Sequence, residues 1–287
     1  MARVATSLVK ELRERTGLGM MECKRALVDS GGDIEQAIDD LRKTSGLKAA
    51  KKAGRTAADG VIGLKVAGSY GVICEINSET DFVARDENFI IFVETVMESL
   101  FGSKNTDLKS LFSDESLEKA RQALIQKIGE NILPRRASSI EAPMIGSYLH
   151  SNNKIGVLVG LHGDNLNLAQ DVAMHIAASN PVVVESKDMP SEVLAAEEKI
   201  YVAQAKESGK PDKIAEKMVS GRLQKFLKEN SLTDQPFVKD ADITVGDLVR
   251  EHNSEIMCFE RFEVGEGITV EEVDFATEVA EQLRNST

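Results

Sequence analysis

Residues 72–85 read V-I-C-E-I-N-S-E-T-D-F-V-A-R, and the way this stretch changes period halfway along decides how the chain is organised. Val72-Ile73-Cys74-Glu75-Ile76 alternates like a strand and stops abruptly at Asn77-Ser78. Phe82 and Val83 then stand in an otherwise polar connection, and a second apolar run, Phe89 to Leu100, begins with helical spacing. Two readings of this connection are open. Phe82 beside Asp81 is an economical wedge and charge for a partner. Alternatively, Phe82 or Val83 is a hydrophobic staple folded back on the next helix, with Thr80, Asp81 or Asp86 as its cap.

Outward from this point the strand belongs to a repeated unit. Val61 to Val66, a Gly68-Ser69 turn and Gly71 to Ile76 predict a β-hairpin followed by a helix. Met144 to Leu149, a Ser151-Asn152-Asn153 turn, Ile155 to Leu161 and a helix over Leu168 to Ala178 repeat that order. A helical insert (Leu117 to Ile132) and a strand near Arg136 to Ile140 complete the first unit. Residues 187–229 are charged and helix-forming with a Ser208-Gly209-Lys210-Pro211 turn, which predicts an antiparallel helical hairpin. Its inward stripe is read as Val193, Ile200 and Ala203 on one arm and Ile214, Met218, Leu223 and Phe226 on the other. Ile256 to Val264 alternates like a strand, and after Gly265-Glu266-Gly267 a last helix is expected over Val270 to Leu283.

Before the repeat, residues 1–46 predict three short helices. Val4, Leu8 and Leu12 stripe the first; Met20-Met21 opens a second carrying Ala26, Leu27 and Val28; Asp33 caps a third with Ile34, Ala37, Ile38 and Leu41 inward. Lys43 to Ala58 reads as a helical or flexible connector, with a basic patch of Lys48, Lys51, Lys52 and Arg55. The expected division is 1–55 helical unit with basic connector, 56–142 first core subdomain, 143–186 with 230–263 second core subdomain, 187–229 helical hairpin and 264–287 C-terminal helical module. The fold class is α+β, with a core of two related subdomains built from antiparallel hairpins and helices.

Composition narrows the function. A net charge of −12 argues against nucleic acid as the main partner, although residues 1–55 alone carry 12 Lys/Arg against 8 Asp/Glu. No apolar run approaches the roughly 18 residues that span a bilayer, and Met1 to Ala5 begins no signal-peptide core. Cys23, Cys74 and Cys258 lie far apart within apolar patterns, which predicts buried free thiols in a reducing cytoplasm. There is no G-x-x-x-x-G-K-[ST], no G-x-G-x-x-G after a strand and no G-x-S-x-G. His150, His162, His175 and His252 are scattered without zinc-ligand spacing, and His175, within a helical pattern, is expected to be structural. No cofactor is expected, and no catalytic or metal-ligating set stands out.

The run S-L-V-K-E-L-R-E-R-T-G-L-G-M-M-E-C-K-R-A-L (Ser7 to Leu27) resembles the N-terminal signature of the bacterial elongation factor Ts family. Glu75 to Arg85 resembles that family's second signature, the T-D-F-V segment, and further stretches match in order: I-G-E-N-I (Ile128 to Ile132), G-S-Y-L-H, K-I-G-V-L-V, S-L-T-D-Q-P-F-V and R-F-E-V-G-E-G. Departures are small: Ser78-Glu79 before T-D-F, and Leu18 in the first signature. The resemblance implies a guanine-nucleotide exchange factor for elongation factor Tu, with no catalytic centre of its own. It implies a ubiquitin-associated-like N-terminal domain, the two-part core, a helical hairpin called the dimerisation domain, and a C-terminal helix that reaches the partner. By the same resemblance, Thr80, Asp81, Phe82 and Val83 disturb the Mg²⁺ site of the partner GTPase, and Arg13, Met20, Met21, Lys52, Ile128, Gly129 and His150 are further partner contacts. The partner is expected both GDP-bound and nucleotide-free. The hairpin either pairs between two chains as a homodimer or stays on one. An adaptor that binds without exchange, and an enzyme built on the core, are the alternatives.

Overall fold

The computed structural model describes residues 4–207 and 211–269. Three helices open the chain: α1 (Thr6–Thr16), α2 (Met20–Asp29) and α3 (Ile34–Lys52). Gly17 closes α1 in the left-handed conformation, its N–H donating to the Arg13 carbonyl. The Asp33 carboxylate caps α3 by accepting from the Gln36 N–H. Leu12, Leu18, Cys23, Leu27, Ala37 and Leu41 are buried between the three helices, with Val4, Leu8 and Ala26 packed around them. Of the two readings of the Lys43 to Ala58 connector, the helical one holds as far as Lys52: residues 53–58 are non-helical, and the part before them is the second half of α3. Its Ala- and Lys-rich sequence favours helix, and Ala49 is buried in the core of the first subdomain. The helical unit is therefore joined to the core by a packed helix.

The core holds two three-stranded antiparallel sheets with one plan. In the first, β1 (Asp59–Ala67) and β2 (Tyr70–Ser78) form a hairpin, α4 (Glu87–Ser103) follows, and after α5 (Leu108–Leu111) and α6 (Glu115–Ile128) the chain returns as β3 (Leu133–Glu141) beside β2. In the second, β4 (Met144–Leu149) and β5 (Ile155–His162) form the hairpin and α7 (Leu166–Ser179) follows. The insert there is α8 (Ser191–Glu207), α9 (Asp212–Asn230), the short pair β6 (Pro236–Phe237) and β7 (Asp240–Thr244), and α10 (Val245–Glu251), before β8 (Glu255–Glu263) returns beside β5.

Every residue of β2 is buried because both faces of its sheet are covered. On the helical side, Val72, Cys74 and Ile76 meet Phe89, Val93 and Val96 of α4 and Ile125 of α6. Ile73 faces the other way, into an interlayer with Ile62, Ile145, Leu158 and Phe262 that joins the two sheets. Glu75 shares that face and is fully buried. A bulge makes this tolerable. Glu75 pairs with Arg136 and Ile76 with Pro134, so Arg135 is an extra residue on β3, and two consecutive arginines reach one carboxylate. Arg135 Nη1 lies 3.0 Å and Arg136 Nε 2.5 Å from Glu75 Oε2, while Gly265 N donates to Oε1 at 2.8 Å. Burial pushes the Glu75 pKa up, but the Gly265, Asn77 and Arg136 hydrogen bonds outweigh it and hold the carboxyl below its ordinary value.

In the second sheet, Val157, Val159 and Leu161 pack on Leu168, Val172 and Ile176 of α7. His175 is buried and structural, as its helical setting suggests: its Nδ1 accepts from the Val238 N–H at 3.2 Å, and Nε2 faces Gln235 Oε1 at 2.9 Å. The helical hairpin forms, and of its expected inward stripe Val193, Met218, Leu223 and Phe226 are half-buried, but the rest is not inward. Ala205 and Val219 are buried, whereas Ile200 and Ile214 are 47% and 48% exposed and Ala203 is exposed. The inward face of α8 steps through Val202 and Ala205 and leaves Ile200 outside it, and on α9 Val219 turns inward while Ile214 does not. Cys23 and Cys74 are buried thiols, but Cys258 on β8 is only half-buried. The helix expected over Val270 to Leu283 lies outside the described residues. Among the described residues no helix is long and apolar enough to cross a membrane.

Candidate functional site

The connection from β2 to α4 separates the two hydrophobic residues between which the sequence does not choose. Val83 is 6% exposed and packs in the first subdomain's core; Phe82 is 80% exposed. Residues Val83–Arg85 form one 3₁₀ turn, and Asp86 caps α4 by accepting from the Asn88 N–H at 2.8 Å and the Phe89 N–H at 3.2 Å. Burial raises the Asp86 pKa, yet the Asn88 and Phe89 hydrogen bonds overcome it and lower the value. The staple role thus belongs to Val83, and the capping role to Asp86. The Phe82 side chain stays in solvent.

The other side of the loop is held from a distance. Glu130, just after α6, accepts the Glu79 N–H at 3.1 Å and the Thr80 N–H at 3.0 Å on one carboxylate oxygen, and the Thr80 hydroxyl at 2.8 Å on the other. In return Glu79 Oε1 accepts the Asn131 N–H at 2.6 Å. Asn131 Nδ2 donates to the Arg55 carbonyl at 2.9 Å. The turn that carries Glu130 begins at Gly129, whose φ of 91° ends α6 in the left-handed region. The Gly129 carbonyl accepts from the Lys52 ammonium at the end of α3. Burial and the Arg55 charge lower the Lys52 pKa. Asp81 is on the exposed side, paired with Arg85 at 3.1 Å.

Of the residues expected to contact a partner, this arrangement joins Thr80, Asp81, Phe82, Val83, Lys52 and Gly129 through backbone or direct hydrogen bonds, and Ile128 packs against the adjacent core. Met20 and Met21 begin α2 and are 38% and 71% exposed; Arg13 is exposed on α1. They are tied to the same body because Glu22 accepts from Lys48 on α3 and from Gln126 on α6, the latter at 2.8 Å. His150 is apart from this network, in the β4–β5 turn, with its ring 2.8 Å from Asn152 Oδ1 and edge-on to Tyr148. Sequence reasoning does not single out Glu79, Glu130 or Asn131. A polar pair directly after a helix-ending glycine, between Ile128 and Ile132, is the available signal. Among the described residues no group of His, Cys, Asp or Glu side chains is arranged to hold a metal ion.

The fold is α+β, and comparison with known proteins identifies its class as a translation elongation factor. The family model described as "Elongation factor TS" matches residues 79–266. A relative from Hahella chejuensis named "Elongation factor Ts" is 59% identical, over 99% of this chain and 100% of its own length. Relatives of the same name from Teredinibacter turnerae (60% identical, 99% of this chain and 98% of the relative) and Cronobacter sakazakii (52%, 100% of each) agree. The chain belongs to the elongation factor Ts family.

Proposed function

We propose that this chain is a guanine-nucleotide exchange factor that binds GDP-loaded elongation factor Tu, disturbs its Mg²⁺ site and promotes GDP release during translation elongation. The observation that carries this reading is Phe82, 80% exposed at the tip of a loop that is otherwise fixed by hydrogen bonds. A large apolar side chain held in water contributes little to folding, yet its burial in a partner is worth about 1.5–3 kcal/mol. Asp81 is suited to the second part of the task. Its exposed pair with Arg85 is worth about 0–1 kcal/mol, so the carboxylate is readily redirected to a partner.

Mg²⁺ requires near-ideal octahedral geometry, so a small displacement of its surroundings removes much of its hold on a nucleotide. Phe82 acts as the wedge, Asp81 competes near the metal, Thr80 shapes the loop and Val83 roots it in the core. Arg13, Met20, Met21, Lys52, Ile128, Gly129 and His150 extend the contact. The exposed methionines suit it because their flexible side chains adapt to irregular grooves. Factor and GDP then weaken each other through one reciprocal coupling free energy. On this reading the chain works in the cytoplasm, with a protein and not nucleic acid as its partner, which its acidic excess supports. Exposed Ile200 and Ile214 on the helical hairpin supply a surface for self-association.

Release of labelled GDP from elongation factor Tu, with and without the chain, tests the reading. Acceleration is expected, and Asp81→Ala is expected to slow it with Mg²⁺ present but to recover when EDTA removes the metal. Binding with no acceleration would leave a binding module in place of an exchange factor.

A further inference from the structure

We infer that Glu130 is a positioning residue for exchange: it fixes the Glu79–Thr80 backbone so that Phe82 is presented in one orientation, and it ties that orientation to the helical unit. The inference rests on the wedge reading above. Nothing in Phe82 itself orders the loop, since its side chain makes almost no use of the chain's interior. Val83 anchors the far side in the core, and the near side is held by Ser78, whose hydroxyl donates to the Thr80 carbonyl at 2.9 Å. Of the four amides between, those of Glu79 and Thr80 are held by Glu130, on one carboxylate oxygen, with the Thr80 hydroxyl on the other.

This carboxylate differs from the others at helix ends. Asp33, Asp86, Asp107 and Asp114 each accept from N–H groups two or three residues along, capping their own helices. Glu130 reaches across 50 residues to amides that lie outside any helix, and Glu79 reaches back to the Asn131 amide. The Glu130 turn is in turn held by Lys52 of α3, the helix shared with the unit that bears Met20 and Met21. One continuous path therefore runs from the helical unit through Lys52, Gly129 and Glu130 to Phe82. Ordering the loop before the encounter removes an entropy cost that binding would otherwise bear.

The conservative substitution gives a sharp discriminator. A glutamine in place of Glu130 retains an oxygen for both N–H groups, and its amide nitrogen can donate to the Thr80 hydroxyl, so Glu130→Gln preserves the geometry without the charge. Glu130→Ala removes all three bonds.

The test measures GDP release from elongation factor Tu against factor concentration for the native chain, Glu130→Gln, Glu130→Ala, Phe82→Ala and the Glu130→Ala/Phe82→Ala double variant, per folded molecule. Glu130→Ala is expected to raise the half-maximal concentration about 10-fold while keeping the plateau, because fewer molecules hold a competent loop. Glu130→Gln should stay within about 3-fold of native, and the double variant should be no worse than Phe82→Ala alone. A Glu130→Ala chain that matches native, or a double variant whose defects multiply, overturns the positioning role and leaves the wedge standing. A Phe82→Ala chain that matches native removes both. Should Glu130→Ala fail to fold, amide exchange in the native chain decides: slow exchange at Glu79 and Thr80 supports the clamp, and open-chain rates there overturn it.

Discussion

The two hairpin-plus-helix units of the core share strand order, pairing and a covering helix, yet their strand-to-helix connections differ in kind. Between β5 and α7 the chain crosses Gly163 and Asp164, and Asn165 caps the helix by accepting from the Leu168 N–H at 3.1 Å. Between β2 and α4 it takes eight residues, Glu79 to Asp86, and raises Phe82 into solvent with Val83 turned inward. Both connections meet the same structural need, a strand end and a capped helix start. The longer one adds an exposed aromatic and a remote clamp, which the fold does not require. On the proposed function, the exchange activity resides in what was grafted onto one copy of a repeated scaffold. The inserts diverge as well: α6 packs against α3 and leads into Glu130, whereas α8 and α9 keep their isoleucines exposed.

If the units are equivalent as scaffolds, equivalent core truncations should hurt both. Phe89 on α4 and Ile176 on α7 are fully buried, so Phe89→Ala should cost about 3–5 kcal/mol and Ile176→Ala about 2–5 kcal/mol in denaturant unfolding. A variant of either kind that unfolds like native would break the parallel.

The units should part company at Glu75, since the first sheet alone carries the double-arginine clamp on its central strand. Glu75→Gln removes the carboxylate the two guanidiniums share, leaving Arg136 with Glu266 and Arg135 with no acidic partner among the described residues, and should cost about 3 kcal/mol at pH 7. The sign with pH follows from the lowered pKa. The contribution is full above the ordinary carboxylate value of 4.5 and is lost as pH falls through the lower folded-state value. The gap in unfolding midpoint between native and Glu75→Gln should therefore be widest at pH 7 and narrow as pH falls below 4.5; a constant gap would contradict the clamp.

Smaller effects refine the comparison. Asp86→Ala and Asn165→Ala remove the caps of α4 and α7, and each should cost about 1 kcal/mol by the same measurement. Unequal costs would show that the long loop leans on its cap more than the short one does. Smallest of all, replacing 195–225 with a Gly/Ser turn should leave GDP release unchanged and the melting temperature nearly so, because Ala205 and Val219 are the buried apolar residues among those described along that stretch. A slowed release would give the second insert a part in exchange.

Much of this is legible in the chain itself. The period-2 runs with their turns locate both hairpins, and their tandem order implies two related sheets. The connector after the helical unit stays undecided because Ala- and Lys-rich sequence reads alike as helix and as linker; the burial of Ala49 against the core separates the two. The hairpin stripe is misread in part, because hydrophobicity favours Ile200 and Ile214, while the inward turn of the helices selects smaller Ala205 and Val219. At the site, the T-D-F-V residues stand out, but local chemistry cannot choose between Phe82 and Val83 as the buried one. Glu130 is invisible to local reading because its partners lie 50 and 51 residues away.

Phe82→Ala, with melting and GDP release measured on the same preparation, tests the central claim most directly. An exposed wedge predicts a stability change within about 0.5 kcal/mol. It also predicts release weakened roughly 10- to 150-fold, the equivalent of the lost apolar burial in the partner. A variant that melts early yet releases GDP at the native rate per folded molecule would make Phe82 a structural residue and contradict the account.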